Sequence, residues 1–274
     1  MQPEGYWVKP GPGYGPKYRS TVWAMTLLAQ LGASMKYEER IRTACSYVLD
    51  HSLADGGFFS YNGKPSGTID CLQGNLCRAL VALGCDDLRL GLVYDWMARS
   101  QTGEGVAPSS EKKAFPRYYA YKCGPNFACG ANYGQPCAWG AVKVMLAFSV
   151  CPTDYRTPLV ESAIRQGVDF FFSVDPATAA YPTGVTDHPS SNWWKFGFPV
   201  FYVTDLLQLA ESLADLGYGN DPRLKSTLSL IQNKQDEQGR WALEYDYTSK
   251  TYGKFGKKGQ ANPWVTLRAL RLLR

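Results

Sequence analysis

The chain has 274 residues, of which 45% are apolar and 14% aromatic, with 19% charged and a formal net charge of +5. That composition supplies a buried core and excludes a disordered acidic chain or a coiled coil. The densest basic run, Lys250 to Lys258, is broken by Tyr252, Gly253, Phe255 and Gly256, and reads as a solvated loop rather than a nucleic-acid patch.

Residues 1–17 are an irregular segment rich in Gly, Pro and Tyr. They contain no apolar run like the core of a secretory leader, and no later stretch approaches the roughly 20 apolar residues of a membrane span. The expectation is a cytoplasmic protein with reduced thiols, so its eight cysteines call for core packing, metal binding or catalysis. A first helix is expected from about Arg19 to Gly32, stopping at a Leu-Gly pair, and a second from Tyr37 to His51. Asp55-Gly56-Gly57-Phe58 closes this unit. The pattern recurs with Cys71 to Gly84 and Asp87 to Gln101, then Cys137 to Val150 and Thr157 to Val174. A fourth unit has Phe198 to Gly217, with Tyr202 and Asp205 nearly on one face, then Pro222 to Gln235. It closes with Gln235-Asp236-Glu237-Gln238-Gly239-Arg240-Trp241, and Asn262 to Arg274 begins a fifth.

A helix pair recurring every 50 or more residues cannot bury its apolar face alone and must stack on its neighbours (about 50 residues at the first step). The first helices are apolar on several faces and suit an inner ring; the second carry charge on one face and suit an outer ring. The expected fold is all-α: one domain over residues 1–274, an incomplete α/α toroid of four to five helix pairs. The gap is left to the N-terminal segment or to a second copy in a homodimer.

The closing segment with Gln235, Gly239 and Trp241 resembles the Gln-Trp motif of squalene and hopene cyclases. Asp55 to Phe58 is similar to the Gly-Gly turn of those enzymes and of protein prenyltransferase β subunits. The whole pattern is most similar to small proteins of the prenyltransferase/squalene oxidase repeat, within the terpenoid cyclase and protein prenyltransferase superfamily. The resemblance implies an α/α toroid whose inner helices all point the same way. Their N-termini then gather at one rim, and the loops feeding them line the mouth of a central cavity.

Cys71 and Cys137 start successive inner helices, Cys123 and Cys129 lie in the loop before Cys137, and His188 lies in the loop before the fourth inner helix. Helix N-termini favour thiolate, and thiolate with imidazole suits Zn²⁺. The expected ligands are Cys71, Cys123, Cys137 and His188, with Cys129 as the substitute for Cys123. The small relatives also carry Cys at these helix starts and a His before a Gly-Phe-Pro segment. Protein prenyltransferases hold catalytic zinc with an Asp, a Cys and a His, which Asp70-Cys71 and His188 echo at a different spacing. Cys45, Cys77, Cys85 and Cys151 read as core fillers, and His51 as a structural residue at a helix C-terminus.

Neither the Asp-x-Asp-Asp acid of class II cyclases nor the Asp-rich magnesium motif of class I synthases is present. Cys85-Asp86-Asp87-Leu88 sits at a turn, as a cap. This argues against protonation-driven cyclisation and against diphosphate ionisation. The first expectation is therefore a zinc-dependent hydrolase of apolar ester or phosphoester substrates, with Asp205 as general base beside Tyr202. Asp70 or Asp187 could be base or support for His188, and Arg19 and Lys143 could neutralise charge. Each could equally be a cap or rim ion pair. Trp193, Trp194, Phe196, Phe198, Tyr202, Trp139 and Trp264 are divided between core packing and the mouth of a pocket for a small hydrophobic or aromatic substrate. The alternatives are a prenyl or terpenoid transferase or cyclase, a binding protein with a structural zinc, and a Cys71–His188 nucleophilic dyad.

Overall fold

The computed structural model describes residues 1–106 and 122–274. The Leu-Gly pairs end their helices because Gly32, Gly84 and Gly217 take positive φ values of 79°, 90° and 94°, a region that favours glycine. The helices are α1 (Thr21–Gln30), α2 (Glu39–Ser52), α3 (Asp70–Ala82), α4 (Arg89–Thr102), α5 (Ala138–Ser149), α6 (Pro158–Phe171), α7 (Leu206–Leu213), α8 (Lys225–Gln232) and α9 (Pro263–Leu273). Side chains cap several starts: Thr157 Oγ1 accepts from Val160 N at 3.3 Å, and Asn262 Oδ1 from Trp264 N and Val265 N at 3.1 Å each. Asp87 accepts from Arg89 N at 2.9 Å at the start of α4, as the turn there implied.

Two short antiparallel pairs punctuate the helices. β1 (Leu53–Ala54) pairs with β2 (Phe58–Phe59) around the Gly56-Gly57 turn. β3 (Cys123–Gly124) pairs with β4 (Ala128–Cys129), setting Cys123 opposite Cys129.

The odd-numbered helices pack in succession, α1 on α3, α3 on α5, α5 on α7 and α7 on α9, and α2, α4, α6 and α8 each lie against their own inner helix. This is the expected inner and outer ring. Leu76, Leu80, Val142, Val144 and Met145 on α3 and α5 are completely buried, each worth roughly 1.5–3 kcal/mol of apolar transfer. α3 and α5 can approach so closely because residue 74 is glycine: a Cβ there would stand 2.2 Å from the Lys143 carbonyl.

The ring is completed by loops. Gln30 donates to Val200 O at 2.8 Å and accepts from Val200 N at 2.7 Å. The N-terminal segment joins the far side through Arg19 Nη2 to Ser249 O at 3.1 Å, while Tyr252 Oη donates to Arg19 O. Trp23, Phe201 and Tyr247 pack beneath this seam. Among the described residues, no helix is long and apolar enough to cross a membrane.

The fourth inner helix departs from expectation. Residues 198–205 are not helical, and α7 begins only at Leu206. The backbone N–H groups of Val200 and Val203 are taken by the side chains of Gln30 and Tyr247. Asp205 then caps the helix by accepting from Gln208 N at 2.8 Å. Tyr202 and Asp205 therefore do not share a helix face: one precedes the helix and the other starts it.

Candidate functional site

The N-terminal ends of α3 and α5 open onto one cavity of about 810 Å³, within the size range of small-molecule sites. Ile69, Asp70 and Cys71 come from the start of α3 and Cys137 to Gly140 from the start of α5; Cys129 comes from β4, and Asn132, His188 and Tyr202 from turns and loops. Tyr14, Tyr61, Trp139, Tyr181 and Trp193 supply aromatic walls. Trp139 meets Tyr202 edge to face at 6.0 Å, and Tyr181 lies 5.5 Å from Trp193. Lys17 lies over the Tyr14 and Tyr202 rings at 5.7 and 5.0 Å, and Lys122 over Tyr61 at 4.7 Å. Such contacts hold ammonium groups against aromatic faces.

Among the described residues, Asp70 is the acidic side chain that lines this cavity. It is 5% exposed. Its Oδ1 accepts from Gln101 Nε2 at 3.1 Å, and Gln101 is itself oriented by accepting from Phe127 N at 3.0 Å. Among the described residues, Oδ2 has no hydrogen-bond partner. Burial and then the charge of Cys129 raise its pKa from 3.8 to about 7, against the Gln101 hydrogen bond and the nearby Cys123 thiol. Near neutral pH a large share of the carboxyl is protonated, with one oxygen uncommitted.

The thiols divide into two sets. Cys71, Cys129 and Cys137 line the cavity and are partly buried. The neighbouring Cys137 thiol and the backbone N–H groups of Ala131 and Asn132 pull the Cys129 pKa below the usual thiol range, while the Cys129 sulfur and burial push Cys137 up. Burial first, then the charges of Asp70 and Cys129, raise Cys71 to about 12. Cys123 sits behind this wall, its Sγ directed at Thr68 O at 3.9 Å. Cys45, Cys77, Cys85 and Cys151 lie in the core at 9% exposure or less.

The expected zinc set does not fit this arrangement. Among the described residues, no three of His, Cys, Asp and Glu are disposed to hold a metal ion. Cys123 is buried against Thr68 O and does not line the cavity. His188 is in an exposed loop with Nδ1 3.4 Å from Pro189 O. Asp205 is likewise no seat for a base: besides capping α7, it accepts from Gly197 N at 3.3 Å and meets Arg268 at 3.4 Å, and it does not line the cavity. Lys143 is buried below the cavity, its ammonium bound to Gln208 Oε1, with burial lowering its pKa to about 7. Arg19 lies at the seam, and Asp187 is exposed and outside the cavity lining. Of the aromatic set, Trp139, Trp193 and Tyr202 line the cavity; Phe198 stacks on Trp264 at 4.8 Å, Trp194 bonds Ala177 O at 2.8 Å, and Phe196 is core. His51 stacks on Tyr47 at 3.9 Å. Tyr14, Lys17, Tyr61, Lys122, Tyr181 and Gln101 belong to the site without having been singled out from the sequence.

No family model matches the chain, and no curated protein matches it. Among solved structures it is similar to that of the type II terpene cyclase MstE from Scytonema in complex with its substrate, geranylgeranyl dihydroxybenzoate. The sequence identity is 15%, the TM-score is 0.50, and the match covers 100% of this chain and 67% of that one. At that identity the likeness carries the fold: the chain is an all-α toroid of the terpenoid cyclase kind.

Proposed function

We propose that the protein is an enzyme that protonates a carbon–carbon double bond of a hydrophobic, isoprenoid-bearing substrate, with Asp70 as the general acid, and so cyclises or isomerises it. The observation that carries this reading is Asp70, a residue of the cavity lining whose carboxyl is buried and whose Oδ2 has no hydrogen-bond partner among the described residues. An acid of this kind works best when its pKa is near the working pH. The likeness to a terpene cyclase supports the same class. This reading stands in place of the zinc-dependent hydrolase: Cys71, Cys137 and His188 line the cavity, but among the described residues no three such groups are disposed to hold a metal ion. It also answers the missing Asp-x-Asp-Asp motif by drawing the acid from the start of α3 instead.

In the step proposed, the Asp70 O–H bond breaks as its proton joins one alkene carbon. The π pair forms the new C–H bond and leaves a cation at the other carbon. A second double bond closes on that cation and moves the charge to a new carbon, or no closure occurs; in both cases the final cation loses a neighbouring proton to water, and the Asp70 carboxylate regains a proton from solvent. The faces of Trp139, Trp193 and Tyr202 stabilise the cation. Lys17 and Lys122 meet the polar end of the substrate, and Gln101 is the positioning residue for the acid.

Purified protein is incubated with geranylgeranyl dihydroxybenzoate and with geranylgeraniol in D₂O. A product isomeric with the substrate, carrying one deuterium and lost in Asp70→Asn, is expected. Turnover unchanged in Asp70→Asn would overturn the assignment.

A further inference from the structure

Two pairs of neighbouring thiols stand out among the described residues, and they differ in access. Cys45 and Cys85 are 2% and 9% exposed in the core. Cys129 and Cys137 are partly buried and both line the cavity. The backbone explains why this second pair meets. Ala128 bridges Pro136 in antiparallel sense, and Cys129 N donates to Gln135 O at 3.1 Å while Cys137 N donates to Phe127 O at 2.9 Å. Cys129 thus faces Gln135, and Cys137, two residues on, lies diagonally across on the same face. The backbone N–H groups of Ala131 and Asn132, in the Gly130–Asn132 turn that follows, favour the thiolate of Cys129, and Cys137 stands at the N-cap of α5. One sulfur is thereby prepared as nucleophile and the other waits beside it.

We propose that Cys129 and Cys137 form a reversible redox site on the cavity wall, in which Cys129 attacks a small disulfide and Cys137 resolves the product. Oxidised glutathione represents the reactant class. The Cys129 sulfur bonds to one glutathione sulfur, the S–S bond breaks, and one glutathione thiolate leaves. The Cys137 thiol then gives its proton to water, bonds to the Cys129 sulfur and displaces the second glutathione. Two protein thiols are oxidised and one glutathione disulfide is reduced. The new bond ties the loop that carries Cys129, Ala131 and Asn132 to the start of α5, fixing one wall of the site read above as the substrate cavity. The inference rests on that reading only for its effect on turnover.

The experiment treats the folded, full-length protein with oxidised glutathione, followed by peptide mapping and intact mass. A Cys129–Cys137 disulfide is expected, reversed by dithiothreitol, with Cys45 and Cys85 still reduced. Cys137→Ser should instead accumulate glutathione at Cys129. Geranylgeraniol in the cavity should slow the reaction several-fold. Cys129 remaining reduced, or pairing with Cys71 or Cys123, overturns the proposal. So do thiols that react only after a chelator has removed zinc, which would return these cysteines to a metal. Because mass is read independently of turnover, the redox site can fail while Asp70 stands, and the reverse.

Discussion

Replacing Asp70 by asparagine separates the carboxyl's catalytic use from its burden on the fold. Its pKa is raised by burial from 3.8 to about 7. Below the unfolded value both states hold the proton and the group is neutral in its effect. As pH rises the unfolded chain ionises while the folded protein keeps its proton, so stability falls up to about pH 7 and stays lowered above it. A difference of roughly three units at about 1.36 kcal/mol each gives about 4 kcal/mol. Asparagine has nearly the same shape, can keep its oxygen on Gln101, and cannot ionise. Urea denaturation of both proteins from about pH 4 to about pH 8 should find the variant gaining on the parent by up to about 4 kcal/mol across that range. Turnover should be lost in the same variant, while the parent's activity declines through about pH 7 as the acid ionises. A stability difference that stays constant with pH would refute the reasoning, because it would mean that the folded and unfolded carboxyls titrate alike.

Two further outcomes follow from the same wall and from the ring. Cys129→Ser removes the charge that helps raise Asp70, so the decline of activity with pH should move to lower pH; burial, the larger cause, should keep Asp70 above the ordinary carboxylate range, as carboxyl NMR titration would read. Gly74→Ala drives a methyl into the Lys143 carbonyl at 2.2 Å; forcing α3 from α5 should cost about 3 kcal/mol in thermal or urea unfolding, and an unchanged midpoint would contradict the close approach.

The helix pairs were legible because local chemistry writes them: Leu-Gly stops, Asx and Thr caps, and an apolar face per helix. α7 was not, since the apolar run from Phe198 to Val203 has its backbone claimed by Gln30 and Tyr247, far away in sequence. The repeat register brought Cys71, Cys137 and His188 to one cavity. It did not rank Cys129 over Cys123, because the two are cross-strand partners in β3 and β4 on one face of the pair, and only the tertiary packing around that pair puts Cys129 in the cavity lining. Asp70 was named for its place beside Cys71. Its role as a buried acid depended on Gln101 and on an uncommitted oxygen, neither visible in a linear pattern. Tyr14, Tyr61 and Lys122 entered through tertiary folding of loops whose sequences carry no periodic signal.

The seam at Gln30 gives the toroid a property its helices lack. Apolar helix faces forgive a small slide, since one methyl contact replaces another. An amide that answers both the N–H and the C=O of a single residue, Val200, permits one alignment only. The circumference of the ring is therefore gauged by a polar clasp at this seam, and the bore that the inner helices enclose inherits its width in part from it.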